Sequence, residues 1–198
     1  MYFPTTVSLL AAFGAVSTLA YPAEQQYGPW TANGLPPLPD NLAPGVHHVT
    51  YDKTDGTMHM KRVADLQTDV APMSEATVST LDKRVNNWLG CESYSFTQEQ
   101  RAQVSQAWAG LLNWASANDD GASPWVKGHY FALTSSGAFA YLCEWGNGNH
   151  ATIQEVNQAQ GALSPGCNNG PGIYQWNEWK KGLGVAATGQ KWCNGVSP

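Results

Sequence analysis

From Thr97 onward the apolar positions Val104, Trp108, Leu111, Leu112 and Ala115 recur at helical spacing. Thr97 and Gln100 form a capping pair in front of them, and Asn118-Asp-Asp-Gly ends the run, so the pattern predicts an amphipathic helix. Two strand-like stretches follow, WVKGHYFALT and AFAYLCEW, joined at hairpin length by Ser135-Ser136-Gly137. A second helix is expected from Thr152, boxed by Glu155, to Leu163, with Pro165-Gly166 as its stop. GIYQWNEW and GVAATGQKWC supply further strand material. With a short strand at Cys91–Phe96 the order becomes βαββαβ. That order describes a small α+β domain, an antiparallel sheet with two helices arranged as a plait.

The first 84 residues read differently. MYFPTTVSLLAAFGAVSTLA holds an apolar run too short for a membrane span, which needs about 20 such residues. Thr18 and Ala20 fit a signal-peptidase site, so residues 1–20 are expected to be a signal peptide and the protein to be secreted and extracellular. Residues 21–84 show neither helical nor strand periodicity, and NGLPPLPDNLAPG has the composition of an unfolded or polyproline-like linker. They end at Lys83-Arg84, flanked by the small, polar APMSEATVST. All four cysteines and eight of nine tryptophans lie beyond that pair, while a second basic pair, Lys61-Arg62, lies before it. The expectation is a disordered pro-region, 21–84, removed after Arg84 by a kexin-type processing protease, and a mature domain of residues 85–198.

Cys91, Cys143, Cys167 and Cys193 are an even set, which in a secreted chain predicts two disulfides with three possible pairings. A zinc site would want closely spaced ligand pairs, and the spacing offers none. A plait lays its last strand antiparallel beside its first, which favours Cys91–Cys193 and leaves Cys143–Cys167. Beyond Arg84 five basic residues face seven acidic ones, so the clustered cations of a nucleic-acid interface are missing. No Asn-x-Ser/Thr sequon, no further membrane-length apolar run and no cofactor motif occurs. No metal, cofactor or nucleic acid is therefore expected.

The signal peptide, the Lys-Arg-terminated leader and the four-cysteine βαββαβ domain, with FALTSSGAFAYLCEW and a terminal cysteine after VAATGQKW, resemble fungal killer-toxin-like secreted effectors. The resemblance extends loosely to the necrosis-inducing effector domains of plant-pathogenic fungi. It implies an interaction with a host or competitor cell, through a surface protein or a glycan.

Two groups of residues carry candidate chemistry. His129 at a strand start and Glu144 on the partner strand could act as general acid and base in a ribonuclease-like hydrolase, provided the register puts them on one face. His150 is expected beside the second helix start as a surface residue. Trp176 and Trp179 are three apart with Glu178 and Lys180 interleaved, which predicts partial exposure and a binding role. Three functions follow in order: a non-enzymatic effector or toxin-like interaction protein, a secreted ribonuclease-like hydrolase, and a cell-wall glycan-binding protein.

Overall fold

The computed structural model describes residues 25–27, 34–52, 57–67, 87–117, 128–145 and 150–194. The expected signal peptide and Lys83-Arg84 lie outside the described residues. The elements are β1 (Gln25–Tyr27), β2 (Gly45–Asp52), β3 (Thr57–Ala64), β4 (Asn87–Cys91), α1 (Gln98–Ala117), β5 (His129–Leu133), β6 (Ala138–Glu144), α2 (Ile153–Gly166), β7 (Gly172–Trp176) and β8 (Lys181–Ala187). The strands form one eight-stranded sheet in the order β1-β3-β2-β5-β6-β8-β7-β4, and every neighbouring pair is antiparallel. Among the described residues the fold is α+β with two helices and two disulfides.

Both helices begin where their capping residues place them. Gln100 N–H donates to Thr97 Oγ1 at 3.1 Å and the Thr97 N–H donates back to Gln100 Oε1 at 3.0 Å. Thr152 and Glu155 repeat the arrangement at α2, and Pro165 sits in that helix's last turn before Gly166. The β5–β6 hairpin turns through Ser135-Ser136-Gly137, where Gly137 takes a φ of 79° that a side chain would disfavour.

Three features differ from the expected plait. Its first strand is Asn87–Cys91, and the stretch after it is an irregular connection that buries Phe96 beneath the helices. Two strands follow α2, because residues 177–180 form a tight turn with Lys180 at a φ of 50°, and β7 and β8 close as a hairpin. β8 therefore lies between β6 and β7, and β4 pairs with β7. This changes the cysteine pairing to Cys91–Cys167 and Cys143–Cys193. Cys91 stands opposite Gly172, beside the exit of α2 that carries Cys167. Cys193 reaches Cys143 because the chain after β8 folds back over the sheet face opposite the helices.

The largest departure concerns residues 21–84. Residues 34–52 and 57–67 within that span are ordered parts of the sheet and its cover, not a disordered leader. β2 pairs with β5 from Gly45↔Leu133 to Val49↔His129, and β3 closes on β2. The sheet thus has two covers. On one face Trp108, Leu111 and Ala115 of α1 and Val156, Ala159 and Leu163 of α2 pack on Tyr130, Ala140, Leu142, Leu183 and Val185. On the other, Leu35 and Leu38 pack with Phe131, Phe139, Tyr141 and Trp192. Leu35 and Trp192 form a backbone bridge, and the Trp192 indole N–H donates to Pro36 O at 3.0 Å. Gly184 is needed in this face, since a Cβ there would stand 2.4 Å from the ring of Tyr141.

Candidate functional site

Side chains alternate across a strand, so register decides whether His129 and Glu144 can meet. Tyr130 stands opposite Leu142, which puts His129 level with Cys143 and one position short of Glu144. His129 follows Phe131 onto the face of Trp192, with its ring 6.3 Å from the indole centroid. Glu144 follows Leu142 onto the helix face, level with Lys181 of β8. They are linked through backbone groups: the Glu144 N–H donates to His129 Nδ1 at 3.0 Å, while Glu144 Oε2 accepts from the Gly128 N–H at 3.1 Å. Burial, with the neighbouring His48 adding to it, lowers the His129 pKa to about 3. A neutral, sealed imidazole holding a backbone N–H is built for packing. The candidate acid–base pair does not share a face.

His129, Cys143 and Cys193 have donor atoms within 4.8 Å of one another, a grouping that could gather a metal ion. Both sulfurs are joined in a disulfide, however, and so provide no thiolate ligands.

The tryptophan pair divides. Trp176 ends β7 inside the helix-side core at 1 % exposure, which corrects the expectation that both rings are partly exposed. Trp179, in the turn, is 38 % exposed and stacks on Trp176 at 6.2 Å between centroids and 14° between planes. The Lys181 ammonium lies 5.1 Å from the Trp179 ring. That ammonium is itself fixed, ion-paired to Glu155 at 2.6 Å and donating to His150 O at 2.8 Å. Glu155 Oε2 in turn accepts from the Thr152 N–H that begins α2. His150 is exposed, as expected, but its carbonyl is part of this network. Trp179 is thus an aromatic held half out of the surface by a buried tryptophan beneath it and a locked cation beside it.

The buried pair gives a stability test. Both side chains are nearly sealed, 7 % and 10 % exposed, so removing one charge strands the other. Glu155→Gln keeps an acceptor for Thr152 but leaves the Lys181 cation uncompensated, and is expected to cost about 3 kcal/mol in urea unfolding. The double variant Glu155→Gln/Lys181→Met should recover most of that loss, because it removes both charges. A double variant as unstable as the single one would show that packing, not charge, carries the effect.

Two further surfaces were not singled out by the sequence. Trp88, on the edge strand β4, is 47 % exposed, and its ring occupies the space a side chain at Gly90 would need. A cleft of about 320 Å³ lies between α1 and α2, floored by Trp108, Leu163 and Val185 and rimmed by Arg101, Gln160 and Asn169. The rim offers one cation and two amides over an apolar floor, the general make-up of small-ligand pockets. Neither surface has a sequence motif, since each is assembled from elements distant in the chain. No family model, curated protein or solved structure matches this chain.

Proposed function

We propose that the protein is a secreted, proteolytically matured interaction protein of effector or toxin type, acting by binding to a protein or glycan on a host or competitor cell surface. The observation that carries this reading is Trp179: a large amphipathic ring, half exposed and held in one orientation by Trp176 and Lys181. Pre-organised aromatics of this kind lose little conformational freedom on binding and are frequent hot spots. Its face suits a sugar ring or an apolar protein pocket equally. The two disulfides support passage through an oxidising secretory compartment. The sealed, proton-poor His129 argues against the hydrolase alternative.

The test is binding of labelled protein to whole fungal and plant cells, with total RNA incubated alongside. Trp179→Ala should weaken cell binding by about 30-fold, the equivalent of ~2 kcal/mol, with an unchanged circular dichroism spectrum. Trp176→Ala should instead cost about 3–5 kcal/mol of stability, because it empties a filled core position. Undiminished binding by folded Trp179→Ala overturns the assignment to this surface. If binding then disappears on filling the cleft with Ser105→Trp, the cleft between the helices replaces Trp179 as the binding surface. Degradation of RNA by the wild type that His129→Asn abolishes would replace the binding reading with the hydrolase one.

A further inference from the structure

The sheet face opposite the helices is completed by residues that precede the processing pair. β5 has all five residues buried, and its outer edge is hydrogen-bonded to β2. Leu35 is fully buried against Trp192, and Leu38 is nearly so. His47 of β2 stacks on Phe131 of β5, 4.8 Å between centroids and 7° between planes. Without residues 34–52 and 57–67, β5 would become a hydrophobic edge strand, and the cluster of Phe131, Phe139, Tyr141 and Trp192 would lose Leu35, Leu38, Val49, Met58 and Met60 from its packing. An open apolar edge of this kind invites strand pairing and aggregation. No covalent tie spans the processing pair, because every cysteine lies after Arg84 and both disulfides close within 91–193.

The two basic pairs are also not equivalent. Lys61 and Arg62 stand in β3 with their backbone paired to His48 and His47 of β2. The Arg62 guanidinium is taken up by Pro44 O, at 3.0 and 2.8 Å, and by Asp65 at 2.6 Å. A processing protease needs an extended backbone and two free cations, so the fold shields this pair.

From these observations we infer that residues 34–67 are a resident subunit of the mature protein and not a discarded leader. Cleavage behind Arg84 yields two chains held together without a covalent bond, through the β2–β5 ladder and the seating of Leu35 and Leu38 beside Trp192. The partner for this surface is the chain's own amino-terminal segment. The inference rests on the processing reading for the cut itself, whereas the docking rests on the contacts of the sheet.

The experiment treats the purified, uncleaved, oxidised full-length chain with a kexin-type protease and follows it by denaturing and native mass spectrometry. The expected result is a single cut, after Arg84, with both pieces remaining together at the uncut mass plus one water and separating only in denaturant. In the cut protein, Leu35→Asp should release the amino-terminal piece, although the uncut variant still folds. Dissociation of the wild-type pieces into a folded, monomeric carboxy-terminal chain overturns the inference. So does cleavage after Arg62 in the native state. A chain that stays whole rejects the processing reading alone, and the docking is then read from a variant carrying a second protease's recognition sequence in place of residues 81–85.

Discussion

A chain beginning at Val85, produced on its own, should fail to give a soluble, cooperatively folding protein, and adding residues 21–84 as a separate polypeptide during refolding should restore it. The expectation follows from what residues 34–52 and 57–67 cover. Phe131, Leu133, Phe139, Tyr141 and Trp192 are at most 1 % exposed in the intact fold, and Leu35, Leu38, Val49, Met58 and Met60 complete their cluster. Burying a large apolar side chain contributes roughly 1.5–3 kcal/mol, so even the lower figure over five side chains is on the order of 7 kcal/mol. A domain's entire stability is about 5–15 kcal/mol, and the lost β2–β5 hydrogen bonds add to the deficit. Circular dichroism, soluble yield and a thermal melt of the two preparations read the result directly. A monomeric Val85–Pro198 chain that melts cooperatively and close to the full-length protein would show that the second cover is dispensable.

The sequence did contain a sign of this second cover. HYFAL in β5 and AFAYLCE in β6 are near-continuous apolar runs, and all their residues are buried. Such runs belong to strands covered on both faces, whereas a sheet covered by two helices alone would alternate apolar with polar positions. Two helices on one side leave the other face to some further segment. GLPPLPDNLAPG, from Gly34, is that segment, and its lack of periodicity is physical: it lies on the sheet as irregular chain and is anchored by Leu35 and Leu38, not by a repeating face. β3 does alternate, with Met58 and Met60 buried between Thr57, His59 and Lys61, but methionine and histidine are weak strand signals. The helices, their caps and the β5–β6 hairpin were legible because their determinants are local: Thr97 with Gln100, Thr152 with Glu155, and the Ser135-Ser136-Gly137 turn. The cysteine pairing was not, since it depends on β8 inserting between β6 and β7. Trp176 and Trp179 share a sequence neighbourhood, yet one ends a strand and the other sits in a turn, and spacing alone does not separate the two.

Acid should destabilise this protein well above the range in which carboxylates titrate, because two histidines are buried neutral. Burial lowers the pKa of His47 to about 4, with the Arg62 charge adding to the effect against a hydrogen bond to Ala43 O that opposes it. His129 is lowered to about 3 by burial and by His48. Its Nδ1 already accepts from the Glu144 N–H, so a proton there would set two donors against each other. The sign follows from the proton count. Below the unfolded value of about 6.5 the unfolded chain takes up protons that the native chain refuses, so stability falls as pH falls, and the loss continues until the folded pKa values are reached. Each site contributes about 1.4 kcal/mol per pH unit in that window, so the pair removes on the order of 5 kcal/mol between pH 6.5 and 4.5. Urea midpoints measured at intervals from pH 7.5 to 4.5 should therefore drop steeply below pH 6.5. His129→Asn keeps an acceptor for the Glu144 N–H but cannot titrate, and it should reduce the slope by about half. A profile that stays flat down to pH 5 in the wild type would mean that these rings are hydrated, and that the packing of His47 on Phe131 and of His129 beside Trp192 opens in solution.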